Sequence, residues 1–171
     1  VPVAWVEMDA LKIEPVYSAP GTLPLADALD WPGLDVASVP ANGWTGRSVA
    51  GEDIAEARAW PGAEPLSLRA TVDGPGTLVF RWKREKGFPS PFSFRVDGAY
   101  ARTYSGVDGL WVTDHWPLPP GTHTVEWLAG APYQGQFPGG VWVDDVRLLP
   151  PPTLAAALEA PGGVTLAVVS G

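Results

Sequence analysis

The sequence has no cysteine, one methionine and only two histidines. Disulfides and thiolate chemistry are therefore excluded, and zinc is disfavoured, because its sites are built mainly from Cys and His. The lack of cysteine leaves the compartment open, since many secreted bacterial chains do without it. No apolar run approaches the ~20 residues of a membrane-spanning helix, so membrane insertion is not expected. No leader segment is visible, and Val1 rather than Met opens the sequence. Both features point to a processed or truncated piece, with any targeting segment outside it. Basic residues are scarce: 11 Lys and Arg stand against 19 Asp and Glu, a formal net charge of −8. Such a surface repels nucleic acid, while its surplus carboxylates suit Ca²⁺.

What the chain does contain is turn formers and large aromatics. Gly and Pro number 20 each and Trp nine, and 46% of the 171 residues are apolar. That supports one domain with a sizeable core, many turns and little room for long helices. The dominant signal has period two. Leu66, Leu68, Ala70 and Val72 share one face, as do Leu78, Phe80 and Trp82. Phe92, Phe94 and Val96 do the same, Val125 and Trp127 alternate with Thr124 and Glu126, and 141–148 reads VWVDDVRL. Each segment predicts a half-buried strand. Asp73-Gly74-Pro75-Gly76 predicts a tight hairpin between two of these strands, and Asp97-Gly98 predicts another. Residues 51–59, GEDIAEARA, form the one candidate helix. The stretch 84–91 reads as a basic, exposed loop, and 129–140 as a long loop bearing Tyr133 and Phe137. Together these features predict an all-β, jelly-roll-like antiparallel sandwich.

The two ends echo the interior. VEMDALKIEP at 6–15 aligns with VWVDDVRLLP at 141–150, and ADALDWPG at 26–33 with AAALEAPG at 155–162. Chance likeness of strands and turns is the plain reading. A slice through a tandem array is the economical one, because both matches fall in the same order. On that reading 1–15 is the last strand of a preceding repeat or an added edge strand. Residues 16–150 are then the sandwich module, and 151–171 a linker with the first strand of the next repeat. Val3, Trp5 and Val6 at one end, and Val164, Leu166 and Val168 at the other, are too apolar to stay in water. They are expected to contact a neighbouring repeat or copy, in cis or by strand exchange that builds a fibre.

The motifs ALDWPGL at 28–34, VDGPGTLVFRWK at 72–83, FRVDG at 94–98, WPLPPGTHTVEW at 116–127 and VWVDDVRL at 141–148 follow one another in a known order. Over about 120 residues the chain resembles the MAM-like and carbohydrate-binding-module-like jelly rolls of large secreted bacterial proteins. It departs from their pattern at 40–65, which is longer here and contains Trp44 and Trp60. The resemblance implies an extracellular sandwich and leaves function open, because such modules accompany enzymes and adhesins alike. It also implies a structural Ca²⁺ near the final strand, at Asp144 or Asp145, with Asp30, Asp27 or Asp53 as further ligands. The plain alternative is a carboxylate that binds backbone N–H groups or pairs with Arg.

Catalysis finds little support. No GxSxG occurs, and Asp114-His115 lacks a positioned nucleophile. Asp144 and Asp145 are neighbours on a strand, whose side chains point to opposite faces, so they are no glycosidase pair. Sugar stacking needs exposed aromatics. Trp82 and Trp127 are expected in the core, whereas Trp142 points outward and, with Tyr133 and Phe137, is the candidate carbohydrate surface. Trp31, Trp44, Trp60, Trp111 and Trp116 complete the pool. Arg81, Lys83, Arg84 and Lys86 form a basic patch that would meet an acidic neighbour or solvent. The expected function is structural or adhesive and non-catalytic, a spacer or filament unit; the alternative is a carbohydrate-binding module attached to a secreted enzyme.

Overall fold

A computed structural model of the chain describes residues 22–88, 90–104, 109–131 and 138–152. Val3, Trp5, Val6, Val164, Leu166 and Val168, together with Tyr133 and Phe137, lie outside the described residues. The described chain is antiparallel β-structure with one turn of 3₁₀ helix and no α-helix. Its strands are β1 (Thr22–Leu23), β2 (Val36–Val39), β3 (Trp44–Val49), β4 (Glu52–Ala59), β5 (Leu66–Arg84), β6 (Phe92–Val96), β7 (Ala99–Tyr104), β8 (Val112–Ala129) and β9 (Gly139–Leu149). The 3₁₀ turn, Asp27–Leu29, lies between β1 and β2.

Two very long strands build the sandwich. β5 and β8 pair from Leu66↔Ala129 to Trp82↔Val112, with a shift of register between Gly74 and Gly76. Before the shift β5 carries β2 on its other edge; after it, β9. β8 likewise takes β6 beside its second half. The order β1-β3-β4-β9-β5-β8 thus forms one sheet and β2-β5-β8-β6-β7 the other. The shared strands turn the corner at the shift, a bulge that bends the pair from one sheet into the next.

Alternation fills the space between. Leu68, Ala70, Val72, Leu78, Phe80 and Trp82 of β5 are buried with Phe92 and Phe94 of β6, Val125 and Trp127 of β8, and Val141 and Val143 of β9. Phe80 lies 4.9 Å from Phe94 and 5.4 Å from Trp127 between ring centres. Aromatic side chains of this size dominate the burial energy.

Four expectations are corrected. Residues 51–59 are not helical: Gly51 is in a turn and Glu52–Ala59 form β4, paired to β3 and β9. Their Ala and Glu favour a helix in isolation, but Ala55, Ala57 and Ala59 turn inward against the core, and tertiary pairing outweighs a weak propensity. Asp73-Gly74-Pro75-Gly76 is not a hairpin; β5 continues through it, bending at the register shift. Arg84 is not on an exposed loop. It is buried at the end of β5, where its guanidinium donates to the carbonyls of Phe88, Ser90 and Tyr104. Trp44 is not a surface aromatic: it is 2% exposed, and its Nε1 donates to the Leu66 carbonyl at 3.0 Å.

Candidate functional site

Two features of the larger sheet stand out, and each grows from a local irregularity. The first begins at the Asp144-Asp145 pair. Opposite β5, the register of β9 slips between Val79↔Arg147 and Arg81↔Asp144. Asp145 takes up the extra residue in a left-handed conformation, φ 51°. This bulge fixes Asp144, which is 1% exposed, with its Oδ1 accepting the Asp145 N–H at 2.6 Å and its Oδ2 accepting from Arg81 Nη2. Asp145 turns to Arg147 instead.

Other turns deliver more acid to the same place. The 3₁₀ turn ends at Asp30, also left-handed at φ 59°. The two-residue β3–β4 turn, Ala50-Gly51, has both φ angles positive, at 55° and 87°, the geometry that suits a tight hairpin. It sets Glu52 and Asp53 beside Asp30. The result is a pocket of about 250 Å³ lined by Asp30, Glu52, Asp53 and Asp144 around one guanidinium, Arg81. Burial, and then the nearby Asp144 carboxylate, push the Asp30 carboxyl above its ordinary range. Two carboxyl groups held together in this way share a proton or need a cation. The donor chemistry fits a hard cation such as Ca²⁺, which takes oxygen ligands. As arranged, Arg81 holds the position on Asp144, and among the described residues no three His, Cys, Asp or Glu groups converge as a metal-ligand set. Asp27 does not line the pocket.

The second feature is Trp142. Val141 and Val143 are buried and Trp142, between them, points outward and is half-buried. Its indole lies along its own strand over Gly140. A Cβ at Gly140 would come within 2.9 Å of Cζ2 and 3.0 Å of Cη2, so a side chain there would lift the ring. The indole Nε1 donates to Glu56 Oε1 at 3.2 Å, which pins the ring's orientation. Glu56 sits directly across on β4 and Lys83 directly across on β5. The outcome is an indole packed over Gly140 and tied to Glu56 on the outer face of the sheet.

The histidines have structural surroundings. Asp114 is buried and receives the Tyr104 hydroxyl, Arg102 Nη1 at 2.9 Å and the His115 backbone N–H at 2.8 Å, while His115 itself is exposed. Burial and the Asp114 carboxylate push the Tyr104 hydroxyl far above its ordinary value. His123 is buried beside Val125 and Trp127, as alternation predicts, and bonds to Asp97 and the Pro119 carbonyl.

Of the residues named from the sequence, Asp30, Asp53 and Asp144 line one pocket and Trp142 points outward. The helix expected at 51–59 gave no reason to place Glu52 in that pocket, and nothing in the sequence marked the cations around Trp142. The sequence places Lys83 in a basic patch and assigns no role to Arg47 or Arg58. Cross-strand register, which a single sequence does not reveal, is what brings them together.

This architecture is an all-β sandwich. No protein-family model matches the sequence, and a search of the curated proteins finds no match. Solved structures do share its fold. Two cleaved adhesin domains of Lys-gingipain, one of them described from Porphyromonas gingivalis, align with TM-scores of 0.51 at 13% and 12% identity. The alignments cover 76% and 77% of this chain and 99% and 95% of those domains. The secreted serine protease VesC from Vibrio cholerae aligns with a TM-score of 0.51 at 14% identity, over 68% of this chain. The chain spans only 28% of that protease's length. At such identities the likeness is one of fold.

Proposed function

We propose that this chain is a non-catalytic adhesive module of an extracellular protein, and that it holds polysaccharide against the outer face of its larger sheet at Trp142. The observation that carries the reading is the half-buried indole packed over Gly140 and fixed by Glu56. A pre-set aromatic plate binds the CH face of a sugar ring without losing side-chain freedom on binding. Support for the adhesive and extracellular parts comes from the fold shared with adhesin domains and with part of a secreted protease. Support for the non-catalytic part is that Asp114, the one acid beside an exposed His, is already committed to Tyr104 and Arg102.

Affinity electrophoresis in gels containing polysaccharide tests it. Retardation is expected for the intact chain and is lost in Trp142→Ala. Gly140→Ala, which tilts the plate without removing it, is expected to weaken retardation while the protein stays folded. Equal mobility of all three proteins in every gel would end the proposal.

The same proposal assigns the acidic pocket to a structural Ca²⁺, with Asp30, Asp53 and Asp144 as ligands and Asp145 at the rim. The ion would take the place of Arg81 on Asp144 and join the turn after β1 to β9 and to the β3–β4 turn.

A further inference from the structure

The face around Trp142 carries a charge pattern opposite to that of the chain as a whole. Lys83 Nζ lies 4.9 Å from the centre of the Trp142 ring and 5.0 Å from the centre of Trp111. One ammonium group therefore sits between two indoles. Arg58 Cζ lies over Trp142 at 5.7 Å and Arg81 Cζ over Trp111 at 5.1 Å. Cations and aromatic rings thus alternate across β4, β9 and β5 to the start of β8.

Beside this row is a depression of about 400 Å³. Val49, Ile54 and the Trp142 ring give it apolar surface, and Arg47, Arg58 and Lys83 surround them. The acids nearby are accounted for. Glu56 is buried and held by Arg47 Nε and Arg58 Nε, both at 2.9 Å. Glu85 takes Arg58 Nη1 at 3.2 Å and the Gly140 N–H at 2.9 Å. Lys83, by contrast, has no carboxylate partner among the described residues, although the chain carries 19 acids to 11 bases. A half-buried lysine against two rings, without a counter-ion, is a donor left over for an anion.

We infer that the ligand of this face is an acidic polysaccharide, a chain of pyranose rings bearing carboxylate or sulfate groups. The inference rests on the assignment of Trp142 as the sugar-binding plate and names the class of sugar. One ring stacks on Trp142. Its anionic group accepts from Lys83 and from the outer nitrogens of Arg47 and Arg58, which Glu56 holds in place from behind. Trp111 lies two strand spacings away, roughly 9–10 Å, which suits a second sugar of the same chain. Anion–ammonium hydrogen bonds supply selectivity, and the rings supply contact area. A nucleic acid is disfavoured, since its continuous phosphate track would run off this short patch onto an acidic surface.

The test is affinity electrophoresis and titration of the full chain with polygalacturonate, with heparin, with the neutral polymers dextran and xylan, and with oligo-dT. Binding to polygalacturonate or heparin is expected, weakening as NaCl rises. Preference between those two tells carboxylate from sulfate, and either one supports the inference. Lys83→Gln is expected to weaken acidic-glycan binding about tenfold, the scale of one charge-assisted hydrogen bond, and Lys83→Arg to restore most of it. If Lys83→Gln does not fold, salt dependence of the unaltered chain decides: acidic-glycan binding that ignores salt overturns the inference. Neutral polymers bound as well as acidic ones also overturn it, yet leave the Trp142 plate standing. No binding to any polysaccharide overturns both. Tighter binding of oligo-dT than of any glycan replaces the sugar with a nucleic acid.

Discussion

His123 is buried, yet its surroundings favour the charged form. Nδ1 lies 2.8 Å from Asp97 Oδ2 and Nε2 lies 3.0 Å from the Pro119 carbonyl. A neutral imidazole has one N–H, so it satisfies only one of two acceptors; the imidazolium satisfies both. The hydrogen bond to Asp97, then the one to Pro119, raises the His123 pKa above its ordinary 6.5. The same pairing lowers that of Asp97. A raised histidine stabilises the fold fully below its unfolded pKa, and that contribution is lost as pH rises through the folded one. The melting temperature should therefore fall as pH rises above about 6.5 and through the raised pKa of His123. In His123→Gln that slope should flatten, with a lower melting temperature at the acid end. An unchanged slope in the variant would show that the imidazolium contributes nothing to stability. Residue-scale reading of the sequence did well where alternation was the whole story, as at Trp82, Trp127 and His123. It failed at Trp44, whose burial depends on a contact with Leu66 that is 22 residues away.

Among the elements, the passage of β5 and β8 from one sheet into the other is the decisive one. Gly74 and Gly76 flank the shift in register. A Cβ at Gly74 would fall on the carbonyl oxygen of Pro119, and one at Gly76 would come within 2.7 Å of both Leu148 Cδ1 and the Leu149 carbonyl. At Gly74 the nearest neighbour is backbone and cannot swing aside. Gly74→Ala is accordingly expected to destabilise the protein by about 3 kcal/mol, in the range for overpacking a tight site. The same change at Gly98, where φ is 77° but nothing lies within 4 Å, should cost less, because only backbone strain opposes it. Urea unfolding of the two variants measures the difference, and equal costs would refute the corner argument. This corner also explains why part of the fold was illegible. Asp-Gly-Pro-Gly carries every local mark of a hairpin, but no local mark distinguishes a chain that reverses from one that bends through a bulge and continues. The helix assignment at 51–59 failed for a related reason. Alternating Ala and Glu reads as helix until β9 is known to lie alongside. The candidate site was legible as residue types, since Asp30, Asp144 and Trp142 stand in recognisable motifs. Its geometry was not, because the bulge at Asp145 and the cross-strand neighbours Glu56 and Lys83 are properties of register.

At the scale of the whole molecule, charge is the unresolved tension. The chain carries −8, and four carboxylates are gathered around Arg81 where the 3₁₀ turn, β4 and β9 meet. The raised pKa of Asp30 has a definite sign. A carboxyl whose folded pKa lies above its unfolded value opposes folding at neutral pH, and the penalty is relieved as pH falls through the folded pKa. A divalent cation relieves it without acid, because a ligand of the folded state alone stabilises by mass action. Two results should follow. Millimolar Ca²⁺ should raise the melting temperature at neutral pH by several degrees, with EDTA reversing the gain. Asp30→Asn should raise the melting temperature in EDTA, by removing the opposed charge, and abolish the response to Ca²⁺. Together these effects separate a cation site from general screening. NaCl at matched ionic strength screens every exposed charge alike and should not reproduce the Ca²⁺ gain. If Ca²⁺ and NaCl act equally, or if Asp30→Asn keeps the full Ca²⁺ response, the pocket holds no ion and Arg81 is its permanent counter-charge.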